Sequence, residues 1–144
     1  MKDITNALEK LSNAFSKRPE ILAGYLFGSY LKGTAVSTSD IDIAVLLDKD
    51  VFNPKSYQYM LELQNEVSKN IVDFKTEIIP TTYMSYPLRF TAPLLGKVIY
   101  CKDQAKRLRE EKKLEIDYEE LKELYDMRHK IIMERVKSRV MANS

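Results

Sequence analysis

The stretch GSYLKGTAVSTSDID, residues 28–42, gathers residue types that can do chemistry: Gly28-Ser29, then ten residues, then Asp40 and Asp42 separated by Ile41. On an extended strand, residues i and i+2 project to the same side. At ~3.3 Å of rise per residue the two carboxylates lie about 6 to 7 Å apart along the backbone. Like charges held this close raise one another's pKa unless a cation sits between them, and hard carboxylate oxygens suit Mg²⁺ or Mn²⁺. A third carboxylate on a neighbouring strand would complete a two-metal site. Asp73 is the first candidate, with Glu77 on the same predicted face as the alternative.

Gly28-Ser29 supplies the complementary half. Where a strand ends and a short helical turn begins, free backbone N–H groups point outward, and glycine lets a phosphate approach them closely. Ser29 adds a hydroxyl donor, and Lys32 in the same segment is a candidate phosphate contact. A phosphate cradle beside a carboxylate pair describes a site for a nucleotide triphosphate with its magnesium, where catalysis is positioning and charge neutralisation.

Regular elements must hold these residues. Ile4, Leu8, Leu11 and Phe15 form the stripe of an amphipathic helix that Pro19 ends. ILAGYLF (21–27) reads as a buried strand feeding the Gly28 turn, and IDIAVLL (41–47) as a second strand. Asn53-Pro54 has the chemistry of an N-cap and first helical residue, and Tyr57, Met60, Leu61, Leu63 and Val67 then predict a helix to about Lys69. IVDFKTEII (71–79) predicts a third strand with Asp73, Lys75 and Glu77 on one face. TTYMSYPLRFTAPLLG has room for one or two short helices between its prolines, and KVIYC (97–101) predicts a last strand. From Asp103 onward the chain is highly charged and free of Gly and Pro. Ile116, Leu121, Leu124, Met127, Ile131 and Val136 mark an apolar stripe along that predicted helix, which would pack on the domain or on another chain.

The 144 residues accommodate one compact domain with a helical extension, and an apolar fraction of 44% suffices for a core. A net charge of only +2 argues against an electrostatically driven nucleic-acid binder. Cys101 is the single cysteine and cannot form an intramolecular disulfide; no run is long and apolar enough for a membrane span. The expectation is a soluble, cytoplasmic protein that binds neither membrane nor nucleic acid.

Gly28-Ser29, ten residues, Asp40-x-Asp42 and a following acidic strand resemble the signature of the polymerase β-type nucleotidyltransferase superfamily. Within it, the short length, GTAVSTSDIDIAVLL and YPLRFTAPLLGKVIYCKD are similar to the minimal nucleotidyltransferases, the MntA-type antitoxins. The likeness covers roughly residues 4–102, and more loosely the helical tail. It implies an α/β (α+β) nucleotidyltransferase fold: a mixed sheet of about four strands flanked by helices. Residues 1–102 would form the catalytic domain and 103–144 a charged C-terminal helical extension. It assigns Gly28 and Ser29 to the nucleotide's terminal phosphates, Asp40 and Asp42 to Mg²⁺, and Asp73 to the third carboxylate, beside the attacking hydroxyl. It further implies that ATP gives its AMP part to a hydroxyl and releases pyrophosphate. For MntA-type members that hydroxyl is a tyrosine on a partner HEPN-domain ribonuclease toxin. Two departures stand out: Tyr30 occupies a position where many minimal members have arginine, and Glu77 shares a predicted face with Asp73.

Other residues carry weaker signals. Arg89 falls in a segment that the family uses near nucleotide and partner. His129 stands alone in a charged helix without cysteine or a second histidine nearby, which argues against zinc or a Ser-His-Asp triad. Cys101, ending a predicted strand, reads as a small packed residue. Two other functions compete with the enzyme: an antitoxin that neutralises by binding alone, and an aminoglycoside-type small-molecule nucleotidyltransferase, whose extra acceptor-binding domain has no counterpart here.

Overall fold

Two strands apolar on both faces can only be covered from both sides, and the computed structural model, which describes residues 3–143, places them at the centre of one sheet. In chain order the elements are α1 (Thr5–Ser16), β1 (Ile21–Phe27), α2 (Ser29–Lys32), β2 (Ile41–Leu47), α3 (Gln58–Ser68), β3 (Thr76–Pro80), a 3₁₀ turn (Thr81–Tyr83), α4 (Leu88–Leu95), β4 (Lys97–Cys101) and α5 (Gln104–Ala142). The sheet order is β3-β2-β1-β4; β1 runs antiparallel to both neighbours and β3 runs parallel to β2. This is the expected mixed four-stranded sheet with flanking helices.

Side chains of β1 and β2 divide the core into two layers, with a register shift between Ile21 and Ala23 interrupting the alternation on β1. Ile21, Ile41, Ile43 and Val45 pack under α1 and α3, against Leu11, Phe15, Leu63 and Val67. Leu22, Ala23, Tyr25, Ala44 and Leu46 face the other way, onto Met84, Ala92 of α4 and Leu114 of α5. With both faces of β1 and β2 covered, the ends of these strands are fixed in place, and the functional turns hang from them.

Strands β1, β2 and β4 occupy the predicted stretches, while three elements differ. Helix α3 starts at Gln58, not at Asn53-Pro54. The loop before it is held by tertiary contacts: Phe52 packs on Tyr59 at 4.8 Å, Tyr57 packs on Tyr83 at 5.0 Å, and Tyr83 Oη donates to the Ser56 carbonyl at 2.6 Å. Its buried face is Tyr59, Leu63 and Val67, whereas Tyr57 and Leu61 of the predicted stripe are exposed. Strand β3 begins at Thr76 and not at Ile71, because β2 itself begins at Ile41, level with Thr76; residues 71–75 have no strand to pair with and cross from α3 to the sheet. Helix α5 has no buried residue, and it touches the domain through Tyr25–Glu111, Leu114 and Tyr118 rather than through most of the predicted stripe.

Candidate active site

The Gly-Ser turn and the carboxylates meet at one end of three adjacent strands. Phe27, the last residue of β1, lies opposite Asp42 near the start of β2, and Asp42 lies opposite Glu77 on β3. Gly28 follows Phe27 with φ +77°, ψ −153°, a conformation open to glycine and costly for other residues. A Cβ at Gly28 would overlap the Asp42 carboxylate, so the absent side chain is what lets the turn backbone lie against it. Ser29 opens the one-turn helix α2 and Lys32, exposed, closes it; Gly33 at φ +74° then reverses the chain. Lys32 N–H donates to the Gly28 carbonyl at 3.1 Å and Thr34 N–H to Ser29 at 3.0 Å, which leaves the first N–H groups of the turn without an acceptor inside it. Tyr30 is turned to the β3 side, its ring edge-on to Phe74 at 6.4 Å.

Crowding of acids dominates the electrostatics. Burial, a hydrogen bond with Glu77, and the charges of Glu77 and Asp40 together push Asp42 up to about 6. No ion pair neutralises Asp40, Asp42 or Glu77 among the described residues. Asp40 sits just ahead of β2, where Ile41 N–H donates to the Lys75 carbonyl at 2.9 Å. Asp73 lies in the exposed bend before β3, not on the strand as predicted, and the charges acting on Asp42 are those of Glu77 and Asp40. Of the two candidate third carboxylates, the parallel register therefore brings Glu77 to Asp42.

A family model described as polymerase beta, nucleotidyltransferase matches residues 9–105. The chain belongs to this nucleotidyltransferase family. A protein of Methanocaldococcus jannaschii, described provisionally as a protein adenylyltransferase, is 26% identical over 87 residues, which cover 60% of this chain and 84% of that protein. Among solved structures, a chain of a toxin–antitoxin complex with AMP-PNP aligns with TM-score 0.69 and 23% identity, over 88% of this chain and 98% of its own. A chain of the complex of tri-AMPylated Shewanella oneidensis HEPN toxin with MNT antitoxin aligns with TM-score 0.60 and 23% identity, over 89% and 94%. These likenesses extend the nucleotidyltransferase fold over most of the chain.

The chemistry of these carboxylates suits a divalent cation. Among the described residues no group of three His, Cys, Asp or Glu side chains is placed to hold a metal ion. Mg²⁺ seldom uses such a group: it takes one or two carboxylates and fills the remaining positions with water and substrate phosphates. Uncompensated Asp40 and Asp42, with Glu77 alongside, are a donor set of that kind, open toward the Gly28 turn.

The remaining candidates lie elsewhere. Arg89 is on α4, exposed, its Nε donating to the Met84 carbonyl at 3.2 Å. It lines a cleft of about 400 Å³ with Asp48, Asp50 and Lys106, at the far end of β2 from Asp42. His129 is exposed on the outer part of α5 and Cys101 is half-buried at the end of β4. Among the described residues no helix is long and apolar enough to cross a membrane.

Two residues that sequence reading passed over fasten the sheet from its two ends. The Gln64 side chain on α3 pairs with the outer edge of β3 as a neighbouring strand would: Nε2 donates to the Thr76 carbonyl at 2.8 Å and Oε1 accepts from Ile78 N–H at 2.7 Å. Glu77 lies between those two bonds, with β2 holding its inner side. A glutamine within an amphipathic helix, three residues before the end of its last apolar position, carries no signal of this pairing. At the other end of β2, buried Asp48 receives Lys102 Nζ at 2.8 Å and Lys106 Nζ at 2.7 Å, fastening β2 to the start of α5.

Proposed function

We propose that this chain is an Mg²⁺-dependent adenylyltransferase that moves AMP from ATP to a tyrosine hydroxyl of a cognate HEPN-type toxin, and so acts in the cytoplasm as its antitoxin. The observation that carries the reading is the alignment of Gly28, Asp42 and Glu77 across three adjacent strand ends, a glycine turn against an uncompensated carboxylate cluster. Support for a protein acceptor comes from the likeness to a chain bound to a tri-AMPylated HEPN toxin and to a relative described as a protein adenylyltransferase.

In this reading the Gly28 turn, the Ser29 hydroxyl and Lys32 hold the terminal phosphates. Asp40 and Asp42 would hold Mg²⁺ with Glu77 alongside, and the ion when bound would neutralise phosphate charge and orient the triphosphate. The acceptor oxygen forms a bond to the α-phosphorus as the bond from that phosphorus to the β-bridging oxygen breaks. Its electron pair leaves with pyrophosphate, and the hydroxyl proton passes to the third carboxylate, Glu77 in preference to Asp73. Residues 1–102 carry the chemistry and 103–144 form the helical extension.

Incubation with ATP labelled on the α-phosphate, Mg²⁺ and the cognate toxin should label the toxin, and Asp42→Ala should abolish the labelling. Equal labelling by that variant would sink the reading. In cells, Asp40→Ala with Asp42→Ala should lose protection against the toxin; full protection would mean neutralisation by binding alone.

A further inference from the structure

We infer that the outer part of α5, from Glu119 to Ala142, pairs antiparallel with the same stretch of a second copy of this chain. Helix α5 has 39 residues and, at ~1.5 Å per residue, reaches about 58 Å. Its first half rests on the domain, through Tyr118 against Phe90 at 5.6 Å and, further along, Tyr125 stacked on Tyr86 at 4.1 Å. Along this outer stretch its apolar side chains stay largely exposed among the described residues. Leu124, Met127, Ile131, Ile132, Val136 and Val140 remain between 45% and 64% exposed. A helix of this length draws most of its stability from packing an apolar face, so an uncovered stretch calls for a partner.

The charges say which partner. From 119 to 126 the helix carries Glu119, Glu120, Glu123 and Asp126 against Lys122 alone; from 127 to 142 it carries five Lys or Arg against Glu134 alone. Among the described residues no charged side chain of α5 beyond Glu115 makes an ion pair. The helix dipole favours such a division only in the first and last turns, so it does not account for a change of sign in mid-helix. A partner of uniform charge would suit one part of this surface and repel the other. A second copy laid antiparallel sets the acidic stretch 119–126 against residues 135–142, with Arg135, Lys137 and Arg139, at both ends of the pair. A parallel copy would set like on like. The arrangement is a closed two-fold interface, and it leaves the two folded domains at opposite ends of the helix pair.

The inference is independent of the nucleotide reading and is tested on the full chain alone. Light scattering after gel filtration should give twice the mass of one chain at low salt, weakening as salt screens the charge pairs. Ile131→Asp, at an exposed position, should raise the dissociation constant at least about tenfold while leaving the circular dichroism and melting of the domain unchanged. In a Cys101→Ser background, oxidation should link chains carrying Lys122→Cys to chains carrying Arg139→Cys, and should not link Arg139→Cys chains to one another. A monomer at low salt, a dimer indifferent to Ile131→Asp, cross-links between Arg139→Cys chains, or assembly only on adding a HEPN-type toxin would each overturn it.

Discussion

Gly28 and Asp42, fourteen positions apart in sequence, touch so closely that a single methyl group on Gly28 would displace the Asp42 carboxylate. The turn that would hold phosphate and the residue that would hold its cation are therefore packed against one another.

Gly28→Ala should consequently do two things. The left-handed φ costs about 1–3 kcal/mol for a residue with a side chain, and the overlap with Asp42 adds to it. The melting temperature should fall and AMP transfer should disappear. In an Asp42→Ala background the same substitution should cost less stability, since the overlapped group is gone; equal costs in both backgrounds would refute the contact.

The raised pKa of Asp42 sets a pH dependence. Below about 6 the carboxyl holds a proton that a cation must displace, so at sub-saturating Mg²⁺ the transfer rate should rise with pH through about 6 and level off above. Glu77→Gln keeps a hydrogen-bonding group but removes the nearest charge, and should move the midpoint of Mg²⁺ binding to lower pH, as calorimetric titration would show. For metal-free protein the stability contribution runs the other way. Asp42 has a folded pKa above its unfolded value of 3.8, so folding gains as pH falls from about 6 toward 3.8.

Gln64→Leu preserves volume and removes both bonds to the edge of β3. Leaving those backbone groups without their partner should cost roughly 1–3 kcal/mol. Because Glu77 sits between them, transfer should slow by roughly 10- to 100-fold with little change in the ATP concentration giving half-maximal rate. Gln64→Glu, which can still accept from Ile78 N–H, should recover part of the stability.

Asp48 shows the opposite electrostatics. Burial would raise its pKa, but hydrogen bonds from Lys102 and Lys106 outweigh burial and bring it to about 2. Its folded pKa lies below the unfolded 3.8, so the stabilisation is present above about pH 4 and is lost as pH falls through 2. With the side chain only 5% exposed, the difference corresponds to about 2 kcal/mol. Asp48→Asn should lower stability by about that amount at neutral pH and by much less near pH 2, measured by chemical denaturation. AMP transfer at neutral pH should persist, since Asp48 lies at the far end of β2 from Asp42.

What the sequence determined by itself was local. Apolar runs flanked by Gly and Pro marked β1, β2 and β4 at the residues where they occur, because a strand buried on both faces imprints its whole length on the sequence. The spacing of Gly28-Ser29 and Asp40-x-Asp42 was legible because both halves of the site hang on those strands. The tertiary structure decided what depends on register and on distant partners. The start of β2 set the start of β3, and the parallel pairing then placed Glu77, rather than Asp73, beside Asp42. Helix α3 lost its first predicted turn to ring contacts of Phe52 and Tyr57. Gln64 and Asp48 gained their roles from groups 12 to 58 residues away, and no local periodicity encodes a partner at that distance.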